Sequence, residues 1–496
     1  MPTRVQRPGS PAGQRRAPGP AESSAYRDSR RASQRIYSRV RERLWPSLLS
    51  LVAVVVAAGV LWRFAGPLEP SQRWVLLLFL LAVGLWATEA VPAFAVGLLI
   101  IGYLVLVLGT RLVMAEPLDV SAYTDTWSSP VIWMLLGGFF LAEGLARTGL
   151  DRRLFAAAIR PAGDRPQRVL LAVMLATAIG SMFVSNSSTT ALMIGAVTPV
   201  VAQIGRSEPF ARALLVGVPA AASVGGMGTI IGSAPNAIAV GVAENFGATI
   251  DFVDWMLVGV PLALALVLVA WRWLLFRYPP TLERIEIDLG SVPDPPLASR
   301  RDRRIVVAVT VLTVVLWMTS PLHGVHVAAV SLIPIVGLTM TSIVGAHEVR
   351  GLPWDTLMLV AGGLSLGAAV VDTGLAEAFL TRLAFLGETD SPAVGLLLLA
   401  LLTVALSNFM SNTATVSLVL PVAVALFPGR EIEVCFVLGL SASCALLLPV
   451  STPPNAIAYS TGALETRDFR PVGLLVGLGG PALVLAWVLT IGSKIG

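Results

Sequence analysis

The chain has 496 residues, of which 55% are hydrophobic and only 13% are charged, and its formal net charge is +5. Soluble domains usually carry about 25% charged residues. Apolar runs long enough to cross a ~30 Å hydrocarbon core recur along the whole length. The composition therefore excludes an ordinary soluble protein and indicates an all-α polytopic membrane protein. The excess positive charge lies mainly in an arginine-rich amino-terminal segment, so it does not indicate nucleic acid as a partner.

In chain order, residues 1–44 are rich in Arg, Ser, Pro and Gly, and we expect a disordered basic tail. Arginines just before the first apolar run predict a cytoplasmic amino terminus. Two apolar segments, 168–203 and 392–428, contain polar strings near their midpoints, and we expect each to form a re-entrant hairpin. We predict eleven transmembrane helices, at 47–63, 73–90, 93–110, 130–147, 211–243, 255–276, 304–320, 325–344, 354–373, 431–462 and 471–494.

The charges of the loops support this threading. The loop 147–168 has an excess of arginine and is predicted inside, whereas the acidic links 110–129 and 244–254 are predicted outside. The linker 277–303 ends in arginines and is predicted cytoplasmic. The carboxyl terminus then lies outside, and the protein is a multi-pass protein of the cell (inner or plasma) membrane.

Four landmarks recur in order at an offset of roughly 220 residues. They are Gly137-Gly138 and Gly362-Gly363, Thr148-Gly149-Leu150 and Thr373-Gly374-Leu375, Ser185-Asn186-Ser187 and Ser411-Asn412-Thr413, and Pro235–Ala239 and Pro454–Ala458. Each unit has an odd number of crossings, so the second is predicted to be inverted. An inverted repeat with interrupted helices is typical of a secondary transporter with its site at the repeat interface. The predicted division is 45–72 for a first helix outside the repeat, 73–276 for the first repeat and 304–496 for the second.

The Pro-Asn strings predict interrupted helices, because proline lacks an amide hydrogen and disfavours helix in the residue before it. We expect the crossings 211–243 and 431–462 to be broken near Gly232–Asn236 and Ser451–Asn455. A broken helix offers amide groups to an anion and carbonyl groups to a cation. The chain would then hold an anion and its coupling ions near the middle of the membrane.

The Ser-Asn strings offer the oxygen ligands that sodium, like other hard cations, prefers. We predict two sodium sites, one from Ser181, Ser185, Asn186 and the Gly232 carbonyl, the other from Ser407, Ser411, Asn412 and the Ser451 carbonyl. The spacing of four predicts that the two serines of each set lie on one helical face. No Lys, Arg or His lies in these strings, so an anion bound there would depend on the sodium ions for positive charge.

Other interpretations fit less well. A single Ser-Asn pair can simply join helices by hydrogen bonds, but two pairs in register with two helix breaks favour a binding site. A membrane-embedded enzyme would need a motif such as His-Glu-x-x-His, which is absent, so we expect no enzyme activity. Cys435 and Cys444 lie in one apolar run and are interpreted as buried side chains. A channel remains an alternative, and a channel would show no saturable, sodium-dependent counterflow.

These motifs, together with Trp86-Ala87-Thr88-Glu89-Ala90-Val91-Pro92, resemble those of the divalent anion/sodium symporters, from about residue 45 to the carboxyl end. The resemblance implies a homodimer that works as an elevator, with amphipathic segments such as 149–160 and 376–386 along the membrane surface. It also implies two sodium ions and a divalent anion, most simply a C4-dicarboxylate such as succinate. Matched substrate contacts are Ser185, Asn186, Ser187, Ser411, Asn412 and Thr413, with Ser233, Thr452 and Pro453 nearby.

Two departures from the family pattern leave the substrate open. Ser187 stands where dicarboxylate carriers usually have Thr, and Ala234 stands where many have Pro. A change of about one methyl group in a pocket shifts selectivity by about 1–3 kcal/mol. Sulfate or another small divalent oxyanion, and exchange of dicarboxylates in place of symport, therefore remain alternatives.

Overall fold

The computed structural model describes residues 49–63, 66–285, 299–378 and 391–491. The predicted tail 1–44, half of the predicted linker and most of the segment 376–386 lie outside these ranges. The chain divides into a unit of residues 1–53, in which the described residues begin the first helix, and a unit of residues 54–496. The second unit contains all of the candidate site.

The described residues form helices joined by turns, and none of them is in a strand. The first half contains α1 Leu49–Arg63, α2 Pro70–Thr88, α3 Ala93–Leu108, α4 Pro130–Thr148, α5 Leu150–Ile159, α6 Pro166–Ser181, α7 Asn186–Ile204, α8 Pro209–Gly225, α9 Ala234–Asn245 and α10 Phe252–Arg277. The second half contains α11 Arg300–Met318, α12 Val327–Met340, α13 Trp354–Asp372, α14 Pro392–Ser407, α15 Asn412–Leu426, α16 Glu431–Ala442, α17 Pro453–Tyr459 and α18 Thr466–Ile491. Short turns of helix lie at Ser121–Thr124, Asp125–Ser128, Ser320–His323 and Ala346–Gly351.

The two halves repeat the same series of elements. Helices α4 and α13 each have 19 residues, and the last helices of the halves, α10 and α18, each have 26. Among the described residues, seven helical segments are long and apolar enough to span a membrane, and six apolar helices are shorter. These helices support a multi-pass membrane protein. The count of eleven crossings stays a prediction.

Both predicted helix breaks exist, but they lie before the proline strings. The first interruption occupies residues 226–233 as two short 3-10 turns, Gly226–Gly228 and Ile230–Gly232. The second occupies residues 443–452. Helix resumes at Ala234 and at Pro453, so each Pro-Asn pair opens the second half-helix. Proline is favoured in the first turn because its missing amide would have no partner there.

Each Ser-Asn segment is a pair of helices with a sharp tip between them. Helix α6 ends at Ser181 and α7 begins at Asn186, and α14 ends at Ser407 and α15 begins at Asn412. The predicted helical face shared by Ser181 and Ser185 is therefore wrong, as is the one shared by Ser407 and Ser411. The chain turns between the two serines because the second one caps the next helix instead of extending the first.

The two repeats are interleaved. Half-helix α9 packs against α13, α15 and α16 of the second repeat, and half-helix α17 packs against α7 and α8 of the first. Likewise α3 packs on α13, and α12 packs on α4. Each repeat therefore covers the interrupted helix of the other, which brings the four polar strings together.

The paired glycines permit close helix approach. A Cβ added at Gly362 would overlap the backbone of Gly97 in α3, and one at Gly137 would lie 3.0 Å from the Ser331 side chain in α12. The second glycine of each pair faces a different element. Gly138 lies against Ile231 in the first helix break, and Gly363 lies against Ser417 in α15. The repeated Gly-Gly landmark thus marks where α4 and α13 contact their neighbours on two sides.

Candidate functional site

One cavity of about 440 Å³ collects the polar strings of both repeats. All nine residues predicted to contact substrate line it, namely Ser185, Asn186, Ser187, Ser233, Ser411, Asn412, Thr413, Thr452 and Pro453. Gly232 and Ser451, predicted to coordinate sodium, line it as well. Ser181 and Ser407 are fully buried behind the two tips. The two polar strings, far apart in sequence, therefore meet in one space.

The tips present the amino-terminal ends of two helices to this cavity. Ser185 caps α7 by accepting a hydrogen bond from Ser188 N at 3.2 Å, and Ser411 caps α15 by accepting one from Ala414 N at 3.2 Å. The first amides of a helix have no acceptor within the helix. Each cap serves one of them, which leaves the amides of Asn186, Ser187, Asn412 and Thr413 directed away from their helices at the cavity wall. Such groups attract anions.

At the first tip, the side-chain amide of Asn186 lies among oxygen atoms. One terminal atom of this amide is 2.5 Å from Ser181 Oγ, 3.2 Å from Gly232 O and 3.3 Å from Ala222 O. With its nitrogen there, the amide donates to all three oxygens. With its oxygen there, four oxygens converge, and this is the donor chemistry that a hard cation requires.

At the second tip, two predicted sodium ligands have no hydrogen-bond partner. Ser407 Oγ and Asn412 Oδ1 are both buried and unsatisfied. Buried polar atoms in proteins are nearly always satisfied by a partner, water or an ion. The predicted ligand at Ser451 is its carbonyl, and its hydroxyl makes a separate bond by donating to Asn408 Oδ1 at 2.8 Å. Side-chain oxygens of this kind are the ligands that a hard cation prefers.

The asparagines of the Pro-Asn strings hold the helix breaks in shape, a role that the sequence motif did not reveal. Asn236 Nδ2 donates to Gly226 O and Thr229 O, each at 2.8 Å. Asn455 Nδ2 donates to Leu446 O at 3.2 Å and to Leu448 O at 2.9 Å. Both side chains are buried. They supply donors to carbonyls inside each break, where backbone groups have no lipid partner. Thr229 O and Leu448 O also accept from Gly232 N at 3.3 Å and from Ser451 N at 3.1 Å.

Asn408 and Asp355 also escaped the sequence interpretation. Asn408, next to Ser407, accepts from Leu447 N at 2.9 Å and so ties the second tip to the second break. Its position close to the Ser411-Asn412-Thr413 string is the sequence feature that could have indicated this role. Asp355, near the start of α13, is exposed and lines the cavity. It is the one charged residue among the described residues that line this space.

The interleaved helical fold, with both helix breaks and both Ser-Asn strings at one cavity, is of the kind that membrane transporters use to bind a solute. A family profile described as the sodium:sulfate symporter transmembrane region matches residues 42–495. The chain belongs to this family, the divalent anion/sodium symporters that its motifs resemble. The family consists of transporters and not of enzymes, in agreement with the missing enzyme motifs.

Several relatives are similar over most of their length. The sodium-dependent dicarboxylate transporter SdcS of Staphylococcus saprophyticus is 30% identical over 444 residues, covering 81% of this chain and 83% of that protein. The protein of the same name from Staphylococcus aureus strain MRSA252 is 29% identical over 460 residues, covering 84% and 85%.

Two solved transporter structures share the fold. The Alcanivorax borkumensis YdaH transporter aligns with a TM-score of 0.54 at 16% identity, covering 82% of this chain and 98% of that one. Neisseria gonorrhoeae MtrF, described as one of a class of antimetabolite efflux pumps, aligns with a TM-score of 0.50 at 12% identity, covering 80% and 95%. At these identities the likeness concerns the fold alone.

Proposed function

We propose that this protein is a secondary active transporter that couples the inward movement of sodium to uptake of a divalent anion, a C4-dicarboxylate such as succinate. One observation carries the proposal. Both Ser-Asn strings and both half-helix starts line one cavity, and no described residue of that lining is cationic. The dicarboxylate assignment draws support from the relatives named SdcS.

In this mechanism, the anion is held by dipoles and not by side-chain charge. The free amides at the starts of α7 and α15 point at the substrate carboxylates, and the hydroxyls of Ser187, Thr413 and Thr452 donate to them. Helix ends contribute about 0.3–1 kcal/mol each at exposed sites and more where water is excluded. These contributions are too small to bind two negative charges without cations.

Sodium supplies the missing charge behind each tip. We assign one ion to Ser181, Ser185, Asn186 and the Gly232 carbonyl, and one to Ser407, Ser411, Asn412 and the Ser451 carbonyl. When sodium binds at the first site, the Asn186 amide presents its oxygen to the ion, and its nitrogen turns toward the cavity. Sodium binding then adds a positive charge and prepares a donor for the anion, which explains coupling.

A second substrate class has its own support. Ser187 and Ala234, the two departures from the dicarboxylate pattern, both line the cavity. Each removes part of a side chain from the wall facing the anion, so the pocket shape differs from that of a typical dicarboxylate carrier. Sulfate or another small divalent oxyanion is therefore the alternative substrate, and dicarboxylate exchange is the alternative mode.

The fold also supports an elevator mechanism, in which a transport domain slides against a scaffold domain. We propose that the two hairpins (α6–α7 and α14–α15), the interrupted helices and the long helices α10 and α18 move together against α2–α4 and α11–α13. The arms α6 and α14, with 16 residues each, extend about 24 Å, which is shorter than a ~30 Å hydrocarbon core and suits re-entrant hairpins. Eleven crossings, a cytoplasmic amino terminus, an external carboxyl terminus and a homodimer complete the proposal.

Uptake by purified protein in vesicles tests the coupling. Labelled succinate, citrate and sulfate are offered side by side, with an inward gradient of sodium, lithium or potassium. We expect saturable succinate uptake with sodium only. Equal rates with potassium would refute the sodium sites, and uptake of sulfate without succinate would establish the alternative substrate.

The two tip asparagines test the site itself. Asn186→Ala and Asn412→Ala should each abolish uptake, because each removes an oxygen from a sodium set and a wall of the anion site. Asn245→Ala is the matched control, since Asn245 lies on α9 away from the cavity and should keep normal uptake. Near-normal uptake by either tip variant, with yield and thermal stability equal to the control, would remove that residue from the site.

A further inference from the structure

A groove beside helix α11 joins three arginines to a strip of apolar side chains. The groove has a volume of about 720 Å³ and is lined by Leu150, Arg153, Arg303, Arg304, Val307, Ala308, Val311, Leu312 and Val315. Arg153 comes from the short helix α5, and the other two arginines come from the start of α11. The charge therefore converges from two separate elements at one end of the groove.

The apolar strip has the dimensions of one lipid leaflet. From Arg304 to Val315 the helix rises about 16 Å, which is about half of a ~30 Å hydrocarbon core. Val311, Leu312 and Val315 are 48–56% exposed along this strip. A polar head at the arginines and a chain along the valines would match this length.

A second apolar cavity of about 530 Å³ continues the groove. It shares Val311 and Val315 with the groove and reaches between α5 and α6 to Phe155, Ile179 and Phe183. Phe183 also lines the candidate transport cavity, so the two apolar spaces end behind the first hairpin tip. The combined space suits a molecule with one charged head and two chains.

The inverted repeat provides an internal comparison. Arg303 Nε donates to Thr148 O at 3.1 Å, and in the other repeat Gln72 Nε2 donates to Gly374 O at 3.2 Å, across the same Thr-Gly-Leu landmark. A neutral side chain is therefore enough to donate to a carbonyl of this landmark. Arg73, which follows Gln72, lies over the Trp62 ring at 5.0 Å.

The counterpart of Arg153 is Ala378, by its spacing from the same landmark. Arg153 therefore has no cationic match at this landmark in the other repeat, and three arginines line the groove. Two acids lie close by in sequence, and each accepts a local hydrogen bond. Asp302 accepts from Ser299 N at 3.0 Å, and hydrogen bonds from Ser299 hold the pKa of Asp302 below its usual range. Asp151 accepts from Arg152 N at 2.7 Å.

We propose that this groove binds a diacyl anionic phospholipid, with its phosphate held by Arg153, Arg303 and Arg304 and its chains along α11 and in the cavity behind the first hairpin. The loop charges predict that this end of α11 faces the cytoplasm, where the leaflet is rich in anionic lipid. Basic pockets between transmembrane helices on this side suit such headgroups. The lipid packs against the hairpin and stabilises the folded protein.

Binding of phosphatidylglycerol to the purified full-length protein tests the proposal, with phosphatidylcholine as the neutral lipid of equal chain length. Native mass spectrometry gives the affinity, and thermal unfolding gives the stabilisation. We expect phosphatidylglycerol to bind more tightly and to raise the Tm. Arg153→Gln with Arg303→Gln should weaken its binding by about tenfold. A glutamine at position 303 can still donate to a carbonyl of the Thr-Gly-Leu landmark, as Gln72 does to Gly374 O in the other repeat.

Arg160→Gln with Arg206→Gln is the matched control, because it removes the same charge from exposed residues on the same predicted side. It should leave phosphatidylglycerol binding unchanged. Val311→Trp, which keeps every arginine and fills the apolar strip, should displace the lipid by its bulk and gives a second test if the arginine variant fails to fold. The proposal would be overturned by equal affinity for the two lipids, or by an equal loss of phosphatidylglycerol binding in the control variant. It would also be overturned if a second copy of the chain occupied the groove.

Discussion

At the scale of the residue, a carboxylate at an anion site is the least expected feature of the cavity. Asp355 lies in the first turn of α13, where the helix end stabilises an acid. It also faces the space where a doubly negative solute is proposed to bind. Its charge should therefore weaken anion binding and disfavour solutes with three negative charges.

Neutralising this residue gives a measurable prediction. Asp355→Asn should lower the KM for a divalent anion by about fivefold, which corresponds to about 1 kcal/mol of relieved repulsion in a partly hydrated site. It should also improve competition by trivalent citrate. Glu116→Gln, which removes an exposed acid in a loop, is the control and should change neither value. An unchanged KM in Asp355→Asn would show that the anion does not approach this carboxylate.

The two departures from the dicarboxylate pattern predict a change in selectivity. Ser187→Thr restores the methyl group that Thr413 carries at the matching position of the other tip. The ratio of kcat/KM for succinate over sulfate should rise, within the 1–3 kcal/mol range typical of about one methyl group. The measurement is uptake of both labelled anions by the same vesicles. A fall in the ratio would favour the oxyanion as the natural substrate.

The buried asparagines of the Pro-Asn strings predict a loss of stability. Asn236→Ala removes a donor from two buried carbonyl groups, and each such loss costs about 1–3 kcal/mol. Thr229 O keeps a longer bond from Gly232 N at 3.3 Å, so its loss is the smaller of the two. The free energy of unfolding in detergent should fall by about 2–4 kcal/mol. Asn245→Ala is the control, because its single bond to Leu364 O is long, at 3.4 Å. A variant at Asn236 as stable as the control would show that water replaces its bonds.

At the scale of the element, the sequence correctly predicts which two helices are interrupted. It predicts less accurately at which residues each interruption lies. Pro235 and Pro454 indicated the two breaks, but helix resumes just before them, because proline suits the first turn of a helix. Glycines at 225, 226 and 228 permit the actual break in the first repeat. In the second repeat the break at 443–452 contains Pro449, which disfavours helix in the residue before it and was an available signal for the interruption.

The hairpin tips show a similar limit. The polar strings correctly placed both tips, but the four-residue spacing of serines suggested a continuous helix. Side-chain capping by Ser185 and Ser411 ends that periodicity. Contacts made by tertiary packing, such as Asn408 with Leu447 N, lie 39 residues apart, so local sequence does not indicate them.

At the scale of the whole molecule, close contact between the repeats depends on Gly97 and Gly362. Gly362→Ala adds a methyl group against the α3 backbone, which cannot move as a flexible side chain does. Overpacking of this kind costs about 1–3 kcal/mol and at times more. Gly102→Ala, in the partner helix α3 and with open space around it, is the control and should fold normally. Thermal unfolding of the two variants tests whether this contact holds the repeats together.

The interleaving of the repeats has a consequence for biosynthesis. The ribosome completes α4 and α9 before it has made α12, α13, α15 and α16, against which they pack. During translation, these surfaces have only acyl chains or an insertase as neighbours. The finished architecture can assemble only after the last third of the polypeptide has left the translocon, so a product released early would be a substrate for membrane proteases.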